Sequence, residues 1–177
     1  MLKKYLLFIV SFFTCGSAVV GQIPDFSFKN LNINEGLSQS SVVDIATDDL
    51  GFMWFATQDG LNRYDGNNFI QFPALFDDIT SPVQLRLGKI ITTGYHTLWM
   101  ITTGGNLSVM NNLTQQINSI SHLSKDSLRL PPMSCINADR EGNLWMGTLN
   151  DGLWFYHKAT DSISRHTTTS GYRLYSN

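Results

Sequence analysis

The chain repeats itself every ~45 residues, and this limits what it can fold into. From residue 48 it reads DDLGFMWFATQDGLNRY, and from residue 139 it reads DREGNLWMGTLNDGLWFY. Asp48, Gly51, Trp54 and Thr57 match Asp139, Gly142, Trp145 and Thr148 at a shift of 91. One residue is then inserted, and Asp59, Gly60, Leu61 and Tyr64 match Asp151, Gly152, Leu153 and Tyr156 at a shift of 92. A degenerate copy, GYHTLWMITTGGNL, spans 94–107. Trp99, Thr102 and Gly105 keep the register there, while Thr93, His96 and Ile101 replace Asp48, Gly51 and Ala56.

A unit of this length is that of a four-stranded propeller blade, too small to bury its apolar faces without neighbours. The first unit divides into VVDIATD (42–48), FMWFAT (52–57), LNRYD (61–65) and NFIQF (68–72). The last divides into CINAD, NLWMGT, GLWFYH and SISRH. Turn residues separate the runs, as in a meander. DDLG and DREG place Asp first and Gly fourth, which suits a type I turn whose Asp side chain accepts from backbone two residues on. Asp59-Gly60, Asp151-Gly152 and Asp65-Gly66-Asn67 supply glycines for hairpins. The tryptophans are expected to fill the space between blades, with Ala56 and Gly147 making room for them.

The expected fold is therefore all-β. It is a partial β-propeller of three four-stranded antiparallel blades with the ring not closed, preceded by an N-terminal signal helix. The organisation read from the repeats is 22–41 as a closing lead-in strand, 42–79 as blade one, 80–124 as the degenerate blade two and 125–167 as blade three. Residues 168–177, in which YRLYSN is similar to the earlier GLSQSS, read as the lead-in to a missing fourth blade. Three blades do not close a ring, and open first and last blades are an aggregation liability.

The first 21 residues read as an export signal: Lys3 and Lys4, an apolar run from Leu6 to Phe13, then small residues. Cleavage after Gly21 is preferred over cleavage after Ala18. Cys15 suits lipidation poorly because Phe12 and Phe13 precede it. Removal of the signal leaves Cys135 without an intramolecular disulfide partner. Its surroundings, PPMSCIN, predict a buried, inert thiol. A composition of 42% hydrophobic and 15% charged residues is that of a folded domain. With net charge −2 and no basic run, the chain lacks the footprint of nucleic-acid binding.

The spacing Val42, Ile45, Asp48, Gly51, Trp54, Thr57, Gly60, Leu61, Tyr64 resembles the two-component regulator propeller repeat. NINEGLSQSSVVDIATDDLGFMWFATQDGLNRYDGNNF resembles the first blade of proteins with that repeat. The resemblance implies the N-terminal periplasmic sensor region of bacterial hybrid histidine kinases, exported and attached to the inner membrane in the intact protein. It implies recognition of oligosaccharides or another small ligand and signalling to transcription. It also implies further blades and a kinase portion as partners, and it allows a homodimer in the intact protein. No kinase motif lies in these residues, so the segment itself is not expected to be an enzyme. The alternative is a fragment of a secreted propeller enzyme, such as a lyase, or a generic extracellular binding propeller.

The turn aspartates recur in each good copy, as structural residues do and a catalytic pair does not. No catalytic residue, metal ligand or cofactor is assigned. His96, His122, His157 and His166 lack zinc-site spacing, although His157 and His166 could face one another across a blade. Propellers bind ligands on the face carrying the loops between blades. Here those loops are GLSQSS (36–41), TSPVQLR (80–86) and RLPPMS (129–134), with Gln39, Ser40, Arg86 and Ser134 as candidates for sugar hydroxyls or a carboxylate. Arg63 is the one residue of the first copy with a claim to be individual, since Phe155 stands in its place in the last.

Overall fold

The structure, a computed structural model, describes residues 27–72, 86–94, 96–120, 122–123 and 128–168. The expected export signal and the 168–177 lead-in, save Thr168 at its edge, lie outside these residues. No helix among them is long and apolar enough to cross a membrane.

Three four-stranded antiparallel meanders follow one another. The first contains β1 (Val42–Thr47), β2 (Met53–Thr57), β3 (Gly60–Tyr64) and β4 (Phe69–Phe72). The second contains β5 (Leu87–Thr93), β6 (Thr97–Thr102), β7 (Leu107–Asn111) and β8 (Ile117–Ile120). A two-stranded ribbon of β9 (His122–Leu123) and β10 (Leu128–Arg129) leads to the third. That sheet contains β11 (Met133–Ala138), β12 (Leu144–Thr148), β13 (Leu153–His157) and β14 (Ser162–His166). Degeneracy has not cost the second unit its sheet.

The lead-in is not a strand where it is described. Asn32 caps a 3-10 turn, Ile33–Glu35, in a capping box that ends at Gly36 in the left-handed region. A strand needs a paired neighbour. Here the Asn32 side chain accepts from the Asn34 N–H, and Glu35 accepts from the Asn32 N–H.

The repeat residues organise the turns. Asp48 Oδ1 accepts from the Leu50 and Phe52 N–H groups, and Asp139 Oδ1 accepts from those of Glu141 and Asn143. Gly51 and Gly142 close these turns at φ 86° and 82°, where a side chain would be strained. The threonines pin the next hairpin. Thr57 Oγ1 donates to the Gly60 carbonyl and accepts from the Asp59 N–H; Thr148 does the same with Gly152 and Asp151.

Alternation along the strands splits each sheet into two apolar faces. Trp54, Ala56 and Leu61 meet Leu87, Ile90, Leu98, Met100 and Met110 between the first and second sheets. Trp99, Ile101 and Leu107 meet Met133, Ile136, Leu144, Met146 and Trp154 between the second and third. Each sheet thus packs on the next and the ring stays open. Leu37, Phe55 and Tyr64 cover the outer side of the first sheet.

Three expectations about the core are corrected. Trp54 is fully buried and Trp99 is half-buried, but Trp145 is 40% exposed, stacked on Phe155 at 4.2 Å. By the order of packing, its face is the one a following sheet would cover. Gly147 makes room for a different group: a Cβ there would lie 2.5 Å from Cys135 Sγ. Cys135 itself is exposed and not buried, because it lies on that same outward face.

Each inner strand also carries a bulge that the sequence did not announce, between Val42 and Asp44, Leu87 and Lys89, and Met133 and Cys135. In the first sheet the bulge aims Asp44 at its neighbour. Its carboxylate accepts from the Ile90 N–H at 2.9 Å and pairs with Lys89 at 3.2 Å.

Candidate functional site

In an antiparallel meander the connection into strand one and the hairpin between strands two and three share an edge. The connection face is therefore built from the starts of β1, β5 and β11 and the β2–β3, β6–β7 and β12–β13 turns. Backbone bonds stitch these together: Thr103 N–H donates to the Arg86 carbonyl, Met133 N–H to Gly105 and Leu149 N–H to Pro132. Gly105 is required here. It sits at φ 80°, and a Cβ would come 2.8 Å from Met133 N and from Pro132.

The candidate residues from the sequence sit on this face, one sheet at a time. Gln39 is half-buried, its Oε1 accepting from the Ser41 N–H at 3.1 Å, and Ser40 is exposed beside it. Arg86 is exposed just before β5. Ser134 is exposed at the bulge of β11, its Oγ 4.0 Å from Cys135 Sγ. The four stand before or in successive inner strands, spread over the first, second and third sheets.

A concavity does lie on this face, at the seam of the second and third sheets, with a volume of about 420 Å³. Asn106, Leu107, Ser119 and Ile120 form one side. Arg129, Pro131, Pro132, Asp151 and Trp154 form much of the other. Trp154 Nε1 donates to Asp151 Oδ2 at 3.0 Å, and Asp151 Oδ1 pairs with Arg165. Neither Trp154 nor Arg129 was singled out from the sequence. The signal for Trp154 was present: at the shift of 92 it stands where the first copy has Asn62.

The opposite face, with the β1–β2 and β3–β4 turns, is structural. Buried Asp48 takes four donors, including Trp54 Nε1 at 2.8 Å and Asn112 Nδ2 at 3.2 Å from the neighbouring sheet. Asp65 lies below the ordinary carboxylate range because the Asn68 and Asn67 N–H groups hold its anion. Asp139 is lowered likewise, by the Asn143 side chain first. Tyr156 is raised by burial and by its hydrogen bond to Asp161. Arg63 lies over the Phe52 ring at 4.5 Å and the Trp54 ring at 5.8 Å, so its individuality is that of a cover on the core.

His157 and His166 do not face each other. They pair with Ser162 and Leu153 at opposite ends of β13–β14. Among the described residues, no three His, Cys, Asp or Glu side chains gather to hold a metal ion.

The repeat, the meanders and their stacking define the class, successive four-stranded blades of a propeller-like fold. Residues 127–150 match the family model described as two component regulator propeller. The chain is 26% identical to the extracellular domain of a hybrid two component system from B. thetaiotaomicron, with a TM-score of 0.66 over 84% of this chain and 21% of that one. A second such domain from the same organism shares the fold at 23% identity and a TM-score of 0.55, covering 73% of this chain and 19% of that one. A histidine kinase, P4, from Formosa agariphila is 38% identical over 73 residues, which is 41% of this chain and 5% of that protein. The resemblance to the two-component regulator propeller family, read first from the repeat, therefore holds on fold as well as sequence. The chain spans about a fifth or less of the length of these relatives, and no kinase domain lies within the described residues.

Proposed function

We propose that this chain is the ligand-sensing propeller segment of a hybrid two-component sensor, exported by residues 1–21 and working in the periplasm. In that reading the connection face recognises an oligosaccharide through residues such as Gln39, Ser40, Arg86 and Ser134. Further blades, an inner-membrane attachment and a kinase portion carry the signal to transcription. The observation that supports this most is the combined likeness of fold and sequence to an extracellular domain of a hybrid two component system.

The deciding experiment is to sequence the locus downstream of residue 177. A membrane helix followed by a histidine kinase core is the expected result. A stop codon soon after enough blades to close a ring would sink the sensor reading in favour of a secreted propeller protein. Oligosaccharide recognition is checked by glycan-panel binding of wild type and of Gln39→Ala and Arg86→Ala. Loss of at least about tenfold in affinity in either variant is expected, and unchanged binding by both would remove these residues from the site.

A further inference from the structure

Three positions are equivalent across the sheets. Asn62 faces Phe55, Ser108 faces Met100 and Trp154 faces Met146 in the corresponding strand pairs. In the first sheet this position fastens the incoming connection. The fully buried Asn62 accepts from the Ser38 N–H at 2.9 Å and donates to Ser38 Oγ at 2.8 Å.

Trp154 cannot do this. Its single polar atom is spent on Asp151. The connection above it, Leu130-Pro131-Pro132, contains two residues with no N–H to offer. That connection is held instead at its margins, by the Met133–Gly105 and Leu149–Pro132 backbone bonds. The cleft of about 420 Å³ occupies the space between. Its size is in the ordinary range of small-molecule pockets, and its rim is rigid, being made of prolines and a glycine that tolerates no Cβ.

The charges of the lining do not balance. Asp151 is already neutralised by Arg165. Arg129 is exposed, and no carboxylate pairs with it among the described residues. A guanidinium with no carboxylate partner among the described residues, beside a preformed cleft, offers a planar fork of donors that matches an oxyanion. Asn106 and Ser119 add an amide and a hydroxyl for the hydroxyl groups of a ligand, and Leu107, Ile120, Pro131 and Pro132 add apolar walls for its carbon face.

We propose that this seam cleft binds a small hydroxylated oxyanion, with its carboxylate or sulfate held by Arg129 and its body lodged between the second and third sheets. This rests on reading the connection face as the ligand-binding face, and it adds the seam and the ligand's charge.

Equilibrium dialysis of the full chain tests it, since that measurement tolerates any state of association. The probes are glucuronate, glucose 6-sulfate and glucose. At least one anion should bind about tenfold or more tighter than glucose, and Arg129→Gln should lose that preference while Arg140→Gln, on the opposite face, keeps it within about twofold. A preference for glucuronate assigns a carboxylate ligand, and a preference for glucose 6-sulfate assigns a sulfate. Equal binding of all three, no binding of any, or an anion preference that survives in Arg129→Gln overturns the proposal. Arg129 is exposed, so its variant folds as the parent does; an unchanged near-ultraviolet circular dichroism spectrum checks this. A downstream frame lacking a kinase would sink the sensor reading and leave these titrations intact, whereas lost anion selectivity sinks only the cleft.

Discussion

At the scale of single residues, the aspartates divide by what they hold. Asp48 is 7% exposed and takes two backbone amides, an indole N–H and an amide from the next sheet. Asp48→Ala would strand those donors and is expected to cost about 2–3 kcal/mol in urea unfolding. Asp139 stands at the same place in the repeat but serves only its own turn, because Asn143 Nδ2 takes the oxygen that Trp54 takes in the first sheet. Asp139→Ala should therefore shift the urea midpoint less than Asp48→Ala does. Both Asp65 and Asp139 are held below the ordinary aspartate value of 3.8 by hydrogen bonds to the anion. Their folded pKa values are thus lower than the unfolded ones. The stability they contribute is present above the ordinary range and is lost as pH falls through the lowered values. The unfolding midpoint should decline on acidification below about pH 4, and the double variant Asp65→Asn/Asp139→Asn should show a shallower decline. An unchanged acid slope would count against these assignments. Tyr156 has the opposite sign. Its raised pKa means that whatever it contributes persists to about pH 10 and is lost as pH rises beyond it.

Among the elements, the hairpin that carries Gly105 bears most on the seam. Its left-handed φ and its 2.8 Å approach to Met133 N and Pro132 act together. Gly105→Ala pays both the conformational cost and a clash with backbone that cannot rotate away, and is expected to lose at least about 2 kcal/mol. Gly51→Ala pays only the first, since its φ is 86° but nothing lies within 4 Å, and should lose about 1 kcal/mol. Equal losses in denaturant unfolding would show that the approach across the seam contributes nothing. Strands and turns of this kind were legible from the sequence because the repeat spells them out: Asp, Gly, Trp and Thr each perform a local task within a few residues. The inner-strand bulges were not legible, since they come from stacking neighbouring sheets and leave no local motif at Val43, Gly88 or Ser134. The cleft was half legible. Trp154 in place of Asn62 is visible in the aligned copies, but its meaning needs Ser38, which lies 24 residues from Asn62 in the chain. Arg129 opens the RLPPMS loop already placed on the binding face, but nothing in the loop itself marked it out, because its neighbours across the cleft come from a different repeat.

For the whole molecule, one rule of packing has consequences at the open end. Trp54 is covered by the second sheet and Trp99 by the third, so Trp145 continues a series in which each indole serves the sheet that follows. Among the described residues no sheet covers that face, which presents Trp145 at 40% exposure with Phe155 against it. Two-fifths of a tryptophan's area is about 100 Å², or about 2.5 kcal/mol of apolar surface at ~25 cal/mol/Å². That is enough to drive association when the same face is available on another copy. Expressed without residues 1–21, the chain should self-associate, and Trp145→Asp should weaken that association at least about tenfold. The same change should cost little in the fold of each copy, because the indole donates no hydrogen bond among the described residues and lies on the outward face. Sedimentation velocity across a concentration series reads both species. A parent that sediments as a monomer at all concentrations would show that the third sheet's face is satisfied as it stands, and that the stacking rule does not extend to Trp145.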